Sequence, residues 1–234
     1  MFYKILIFFV LSIVLLTSCE EVCINGNADL VTREYDLNSF SGIKFEMNGT
    51  IKLHRGEQKI SVTTDKNIID YFEFKIGGDN LLYIQGKGGS CFVPSDLAID
   101  VFSDNFYILQ AGGESNWLSE PINISPKITM NGTGTVSLTG ISVKQELINN
   151  SSGLIELTKM PTINAVITLN GSGDIKVKVS QNATVKNRSI GDVYIYNISG
   201  ELDVTIQNSG NIYYSGSPSK IISVIQGSGK IIKM

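Results

Sequence analysis

One short phrase returns six times in the second half of the chain, and its spacing restricts the fold more than any other property of the sequence. It reads Asn131-Gly132-Thr133-Gly134, Asn150-Ser151-Ser152-Gly153, Asn170-Gly171-Ser172-Gly173, Arg188-Ser189-Ile190-Gly191, Gln207-Asn208-Ser209-Gly210 and Gln226-Gly227-Ser228-Gly229. The final glycines fall at 134, 153, 173, 191, 210 and 229, in steps of 19, 20, 18, 19 and 19. Self-similarity at this period is the signature of stacked coils. Apolar residues alternate after each glycine: Val136/Leu138, Ile155/Leu157, Ile175/Val177, Val193/Ile195, Ile212/Tyr214. Ile128/Met130, Ile167/Leu169 and Val204/Ile206 alternate before it. Period-two alternation with β-branched residues describes a strand with one buried face. Each repeat is therefore strand, glycine turn, strand and a looser return. Positive φ, which glycine tolerates, explains the turn residue at this level.

One such unit cannot bury its apolar face alone, whereas stacked parallel units about 4.8 Å apart bury a continuous core. Equivalent residues then form columns. Asn131, Asn150, Asn170, Arg188, Gln207 and Gln226 make a polar column in which side chains can bond along the stack. Thr133, Ser152, Ser172, Ser209 and Ser228 make a small-residue column that reads as cramped, with Ile190 its exception. A propeller needs about 40 residues per blade, and steps of 19 and 20 suit a hexapeptide helix poorly. The expected fold is all-β: a single-stranded parallel β-helix, right-handed by the crossover rule.

The start of the chain reads as an address. Lys4 precedes a short apolar run, Ile5–Leu16, and residues 1–18 have the form of a secretion signal. Leu16-Thr17-Ser18-Cys19 resembles a bacterial lipobox, which makes Cys19 the lipidated mature terminus. Glu20 and Glu21 resemble a surface-export signal of Gram-negative lipoproteins and read equally as a solvated pair. The expected location is the outer membrane of a Gram-negative bacterium, with the membrane a partner through the lipid anchor. Oxidation is permitted there, so the remaining cysteines, Cys23 and Cys91, are candidates for a disulfide. A net charge of −3 with no basic cluster argues against nucleic acid as a partner.

Residues 19–35 read as a linker, 36–126 as irregular coils that cap the stack, and 127–234 as the regular repeats. Strand-like runs occupy Gly42–Met47, Thr50–His54, Lys59–Thr63, Phe72–Ile76, Leu81–Gln85, Leu97–Phe102 and Phe106–Gln110. Asp65–Asp70 reads as a short helix or turn, Ala111–Pro126 as a joint, and Tyr71, Phe72 and Phe74 as cap core. Lys230, Lys233 and the chain terminus read as blunting the last coil.

Phe40-Ser41-Gly42-Ile43, Asn48-Gly49-Thr50-Ile51, Leu81-Leu82-Tyr83-Ile84 and the turns at 171–173, 209–210 and 227–229 resemble the putative auto-transporter adhesin, head GIN domain family. The resemblance spans about residues 36–233. It implies a pectin-lyase-like right-handed β-helix, a proposed role in adhesion and no recognised catalytic set. Arg188-Ser189-Ile190-Gly191 departs from its small-residue turn.

Three functions are compatible with this reading. The leading one is a non-enzymatic, lipid-anchored surface adhesin for a glycan or a host protein. Tyr194 and Tyr213, one coil apart, and Tyr196 two residues along, are its candidate surface; a supporting ladder is the plainer role for the same rings. The second is a polysaccharide lyase or hydrolase, for which stacking places Asp174 and Asp192 about 5 Å apart. Asn211 and Lys230 continue that column, so solvation beside a turn or a calcium contact are its other readings. The third is an envelope protein that forms homo-oligomers through a sheet face. His54, the only histidine, is expected at the surface. No metal, cofactor or catalytic set is expected: triad and zinc spacings are absent, and strands rather than a helix follow the glycine turns.

Overall fold

The computed structural model describes residues 23–234. The secretion signal over 1–18, the lipidated Cys19 and the Glu20-Glu21 pair lie outside the described residues. The fold is an all-β parallel solenoid. Every regular coil gives one strand to each of two sheets, which meet at the glycine corner. Before the corner, Gly42–Phe45, Ile108–Ala111, Lys127–Met130, 144–149, 164–169, 182–187, Glu201–Ile206 and Lys220–Ile225 stack in parallel. After it, Gly49–His54, 115–119, 135–137, 154–157, 175–178, Val193–Ile198, Ile212–Gly216 and Ile231–Lys233 do the same. Val136, Ile155, Ile175, Val193 and Ile212 stand one above another and are fully buried. The alternating apolar pairs thus become continuous columns, each methyl packed on its equivalents above and below.

The corner glycines line up, but conformational freedom is not the reason for them. None of Gly134, Gly153, Gly173, Gly191, Gly210 or Gly229 has φ in the left-handed region. Instead, a Cβ on Gly173, Gly191, Gly210 or Gly229 would fall well inside contact distance of the carbonyl oxygen of Gly153, Gly173, Gly191 or Gly210 respectively. Backbone rests on backbone at this edge of the stack. The cramped column lies one residue earlier than expected, at Gly132, Ser151, Gly171, Ser189 and Gly227, with exposed Asn208 its exception; the Ser151 and Ser189 hydroxyls donate to the Gly132 and Gly171 carbonyls at 2.5 and 2.6 Å. The expected one, Thr133 through Ser228, faces outward in every coil. Ile190 is 64% exposed there and needs no room, so the departure at 188–191 leaves the coil regular.

The polar column forms as a continuous chain. Asn150 donates to Asn131 at 2.9 Å and Asn170 to Asn150 at 2.7 Å. Arg188 donates both ways, to Asn170 and to Gln207, each at 3.2 Å, and Gln207 donates onward to Gln226 at 3.2 Å. A guanidinium has donors only, so both neighbours must accept and the column reverses direction at Arg188. Inside the corner, the fully buried Asn149 and Asn187 donate to the Gly153 and Gly191 carbonyls at 2.7 and 2.8 Å, satisfying turn backbone that would otherwise be stranded.

The N-terminal half departs from chain order. Gly42–Phe45 lies between Leu81–Gly86 and Ile108–Ala111, and Gly49–His54 lies between Leu97–Phe102 and Ser115–Asn123. The first coil in the chain is therefore second in the stack, and residues 103–107 step over it, with Tyr107 N–H bonded to the Ser41 carbonyl at 2.8 Å. Beyond it, Lys59–Asp65 pairs antiparallel with Leu97–Phe102, Leu30–Asp36 pairs antiparallel with Lys59–Asp65, and Phe72–Ile76 pairs antiparallel with Leu81–Gly86. Charged Arg33, Glu34 and Asp36 on the outermost strand are what an edge needs to resist further pairing. The expected linker boundary at 35 falls inside this strand. The expected joint, Ala111–Pro126, is a regular coil whose Trp117 is fully buried.

Cys23 and Cys91 are joined in a disulfide with Cα atoms 4.6 Å apart. Beside it the buried Asp65 carboxylate accepts the Ser95 hydroxyl and N–H, each at 2.7 Å, and the Ala28 N–H at 2.6 Å. These bonds, the Ser95 hydroxyl foremost, hold its pKa below the usual carboxylate range.

Candidate functional site

The tyrosine surface is a column of mutually covered rings. Tyr194 and Tyr213 stack at 4.8 Å with planes 8° apart, and Lys176 Nζ lies 5.5 Å from the Tyr194 ring centre. Tyr213 has Ile232 next to it on the following coil. Tyr194, Tyr196 and Tyr213 are half-buried, and burial pushes the Tyr194 phenol pKa up. The stacked pair leaves no gap between the Tyr194 and Tyr213 rings, and the Tyr213 hydroxyl accepts from the Asn211 amide at 3.4 Å.

Asp174 and Asp192 do stack on adjacent coils, and each serves the backbone of the next. Asp174 accepts the Asp192 N–H at 2.9 Å, Asp192 accepts the Asn211 N–H at 2.7 Å, and Asn211 accepts the Lys230 N–H at 3.0 Å. His54 is half-buried rather than free at the surface: it stacks on Phe102 at 4.7 Å, and its Nε2 lies 2.7 Å from Asp100. Its Nδ1 lies 3.5 Å from Glu120. Glu120 is held below its ordinary pKa, first by the Arg55 N–H and then by His54. Among the described residues no three His, Cys, Asp or Glu side chains are placed to hold a metal.

An apolar concave feature lies elsewhere, on the face between the second sheet of one coil and the first sheet of the next. It is a groove of about 620 Å³ running along the stacking axis. Tyr107, Ile124, Ile141, Val143, Pro161 and Ile163 supply its apolar surface. Ile141 and Val143, on adjacent outward positions of Thr135–Asn149, are 59% and 62% exposed. Groups of large apolar residues left in solvent mark binding sites more often than chance placement does.

Coil length is uneven beside this groove. Between Leu157 and Thr162 four residues intervene, whereas one, Lys178, lies between their partners Val177 and Val179. The longer coil takes up its extra residues at 158–161, where Met160 turns into the core, and the shorter coil has one residue at the same level. Gln145, fully buried, donates to the Met160 carbonyl at 2.8 Å and ties this segment to the coil below. The floor's hydroxyls are spent internally: Ser142 on the Lys144 carbonyl at 2.9 Å and Thr162 on the Asn164 carbonyl at 3.0 Å. Lys178, on the shorter coil, and Asn197, on the next, also line the groove. The steps of 20 and 18 in the glycine series mark the uneven coil length; nothing in the tyrosine pattern pointed to this site.

The matching family model, putative auto-transporter adhesin, head GIN domain, covers residues 39–218, and the chain belongs to that family. Similar solved structures include a putative lipid binding protein from Parabacteroides distasonis, 25% identical with a TM-score of 0.73, over 91% of this chain and all (100%) of that one. A putative adhesin from Bacteroides fragilis is 17% identical with a TM-score of 0.79, over 90% of this chain and 100% of that one. A putative adhesin from Parabacteroides distasonis is 18% identical with a TM-score of 0.68, over 91% and 100%. No curated protein matches the chain.

Proposed function

We propose that this protein is a non-enzymatic adhesin, held at the outer membrane through lipidated Cys19, that engages its ligand through the lateral apolar groove. The observation that carries this reading is the cluster of aliphatic residues on three successive coils, with Ile141, Val143 and Ile163 exposed and Ile124 half-buried beside them. A stack of backbone-locked coils supplies a preformed surface, which lowers the ordering entropy of binding. Family membership supports the adhesin role, and the description of the Parabacteroides relative as lipid binding supports an apolar ligand. The half-buried tyrosine column, with its ring faces covered, serves the sheet.

The test uses the full chain on beads, presented to a panel of immobilised glycans and extracellular-matrix proteins. Adhesion lost in Ile141→Asp/Val143→Asp and kept in Tyr194→Ala/Tyr213→Ala supports the groove. Adhesion kept in the first pair and lost in the second overturns it and returns the binding surface to the tyrosines.

A further inference from the structure

Lys178 shares the lack of an ion pair with other lysines such as Lys144 and Lys159, and what sets it apart is its place in the groove lining. Lys176, Lys127 and Lys220 each lie within ion-pair distance of a carboxylate, at 4.0, 2.7 and 3.3 Å. Lys178 has no ion pair among the described residues, and it is the only charged residue in the groove lining, which holds no carboxylate at all. It sits on the short coil, at one end of the apolar run. Its register partner on the next coil is Tyr196, also half-buried. An unpaired ammonium at the end of an otherwise neutral, apolar channel complements a ligand with one anionic end and one apolar length.

We propose that the groove binds a single-chain anionic amphiphile of the long-chain carboxylate class, with the alkyl chain on Ile141, Val143 and Ile163 and the carboxylate on Lys178. This rests on the groove being the binding face and adds the chemical class and the direction in which the ligand lies. A groove of this size suits a small ligand that is mostly apolar and fixed by few polar contacts. The headgroup contact is a charge-assisted bond, stronger than a neutral one. Asn197 at the same end offers an amide donor within the lining, and its backbone holds φ at +67°, a conformation asparagine tolerates.

Isothermal titration of the full chain below micelle-forming concentrations tests this with three ligands of equal chain length: dodecanoate, dodecanol and dodecylammonium. The expected order of affinity is dodecanoate, then dodecanol, then dodecylammonium. Lys178→Gln is expected to weaken dodecanoate roughly tenfold while leaving dodecanol unchanged, the size of one charge-assisted bond. Lys178→Glu is expected to invert the preference between dodecanoate and dodecylammonium. Val143→Asp is expected to abolish binding of dodecanoate and dodecanol. If dodecanoate and dodecanol bind equally and Lys178→Gln changes neither, the headgroup assignment is overturned while the groove remains an apolar site. If none of the three binds, the amphiphile class is overturned, and the bead assay with Ile141→Asp/Val143→Asp then decides separately whether the groove adheres to anything. Circular dichroism of each variant, unchanged from the parent, separates lost binding from lost folding.

Discussion

Replacing Gly173 by alanine should destabilise the solenoid through a contact between backbones. The added Cβ would fall against the Gly153 carbonyl and the Ser152 backbone, atoms held by the parallel ladder and unable to rotate away. Overpacking of this kind typically costs about 1–3 kcal/mol, and a clash with fixed backbone belongs at the upper end. With a urea slope of about 3 kcal/mol/M, the midpoint should fall by about 1 M. The single, fully buried Trp117 reports unfolding by fluorescence. Gly78, where an added Cβ would meet no atom within 4 Å, is the control: Gly78→Ala should be neutral or stabilising by up to about 1 kcal/mol. Gly173→Asn separates two mechanisms. If left-handed φ were the requirement, asparagine would be tolerated; if stacking is, asparagine should be at least as damaging as alanine. A Gly173→Ala midpoint equal to that of Gly78→Ala, or a benign Gly173→Asn, would refute the stacking argument.

Two further outcomes concern the N-terminal cap. The folded pKa of Asp65 lies below its unfolded value, so its stabilisation is present above the ordinary carboxylate range and lost as pH falls through the folded value. Asp65→Asn should therefore lower stability near pH 7 and flatten its decline below about pH 4, measured by urea titration at each pH. Cys91→Ser opens a disulfide spanning 68 residues and should cost up to about 4 kcal/mol by the loss of chain-entropy restraint, seen as a lower urea midpoint that reducing agent does not change further.

Most of the stack was legible in the sequence because period two and period nineteen each leave residues at fixed positions. The alternation fixed the inward columns, and Asn131, Asn150 and Asn170 could be aligned without coordinates. Orientation at the corner was not legible. Thr133 through Ser228 are small yet point outward, because period two ends where the strand does. The reason for the glycines also depends on the neighbouring coil, whose carbonyl supplies the clash. In the N-terminal half the strands were visible, but their stacking order was not: only the pairing of Gly42–Phe45 with both Leu81–Gly86 and Ile108–Ala111 places an early coil second. The uneven steps of 20 and 18 mark where the coils differ in length, yet nothing in the sequence picks out Ile141, Val143 and Ile163; only the register shift at 158–161 shows which face they share. The tyrosines drew notice as aromatics, although ring stacking along a parallel column covers the faces a sugar would use.

The account turns on the groove, and methyl resonances report on it directly. Full-length protein labelled at isoleucine and valine methyls should show shifts at Ile124, Ile141, Val143 and Ile163 when dodecanoate is added, with Ile221 and Val224 on the last coil unmoved. Shifts centred on Val193 and Ile232, beside the tyrosine column, or no shifts at the four groove residues under saturating ligand, would contradict it.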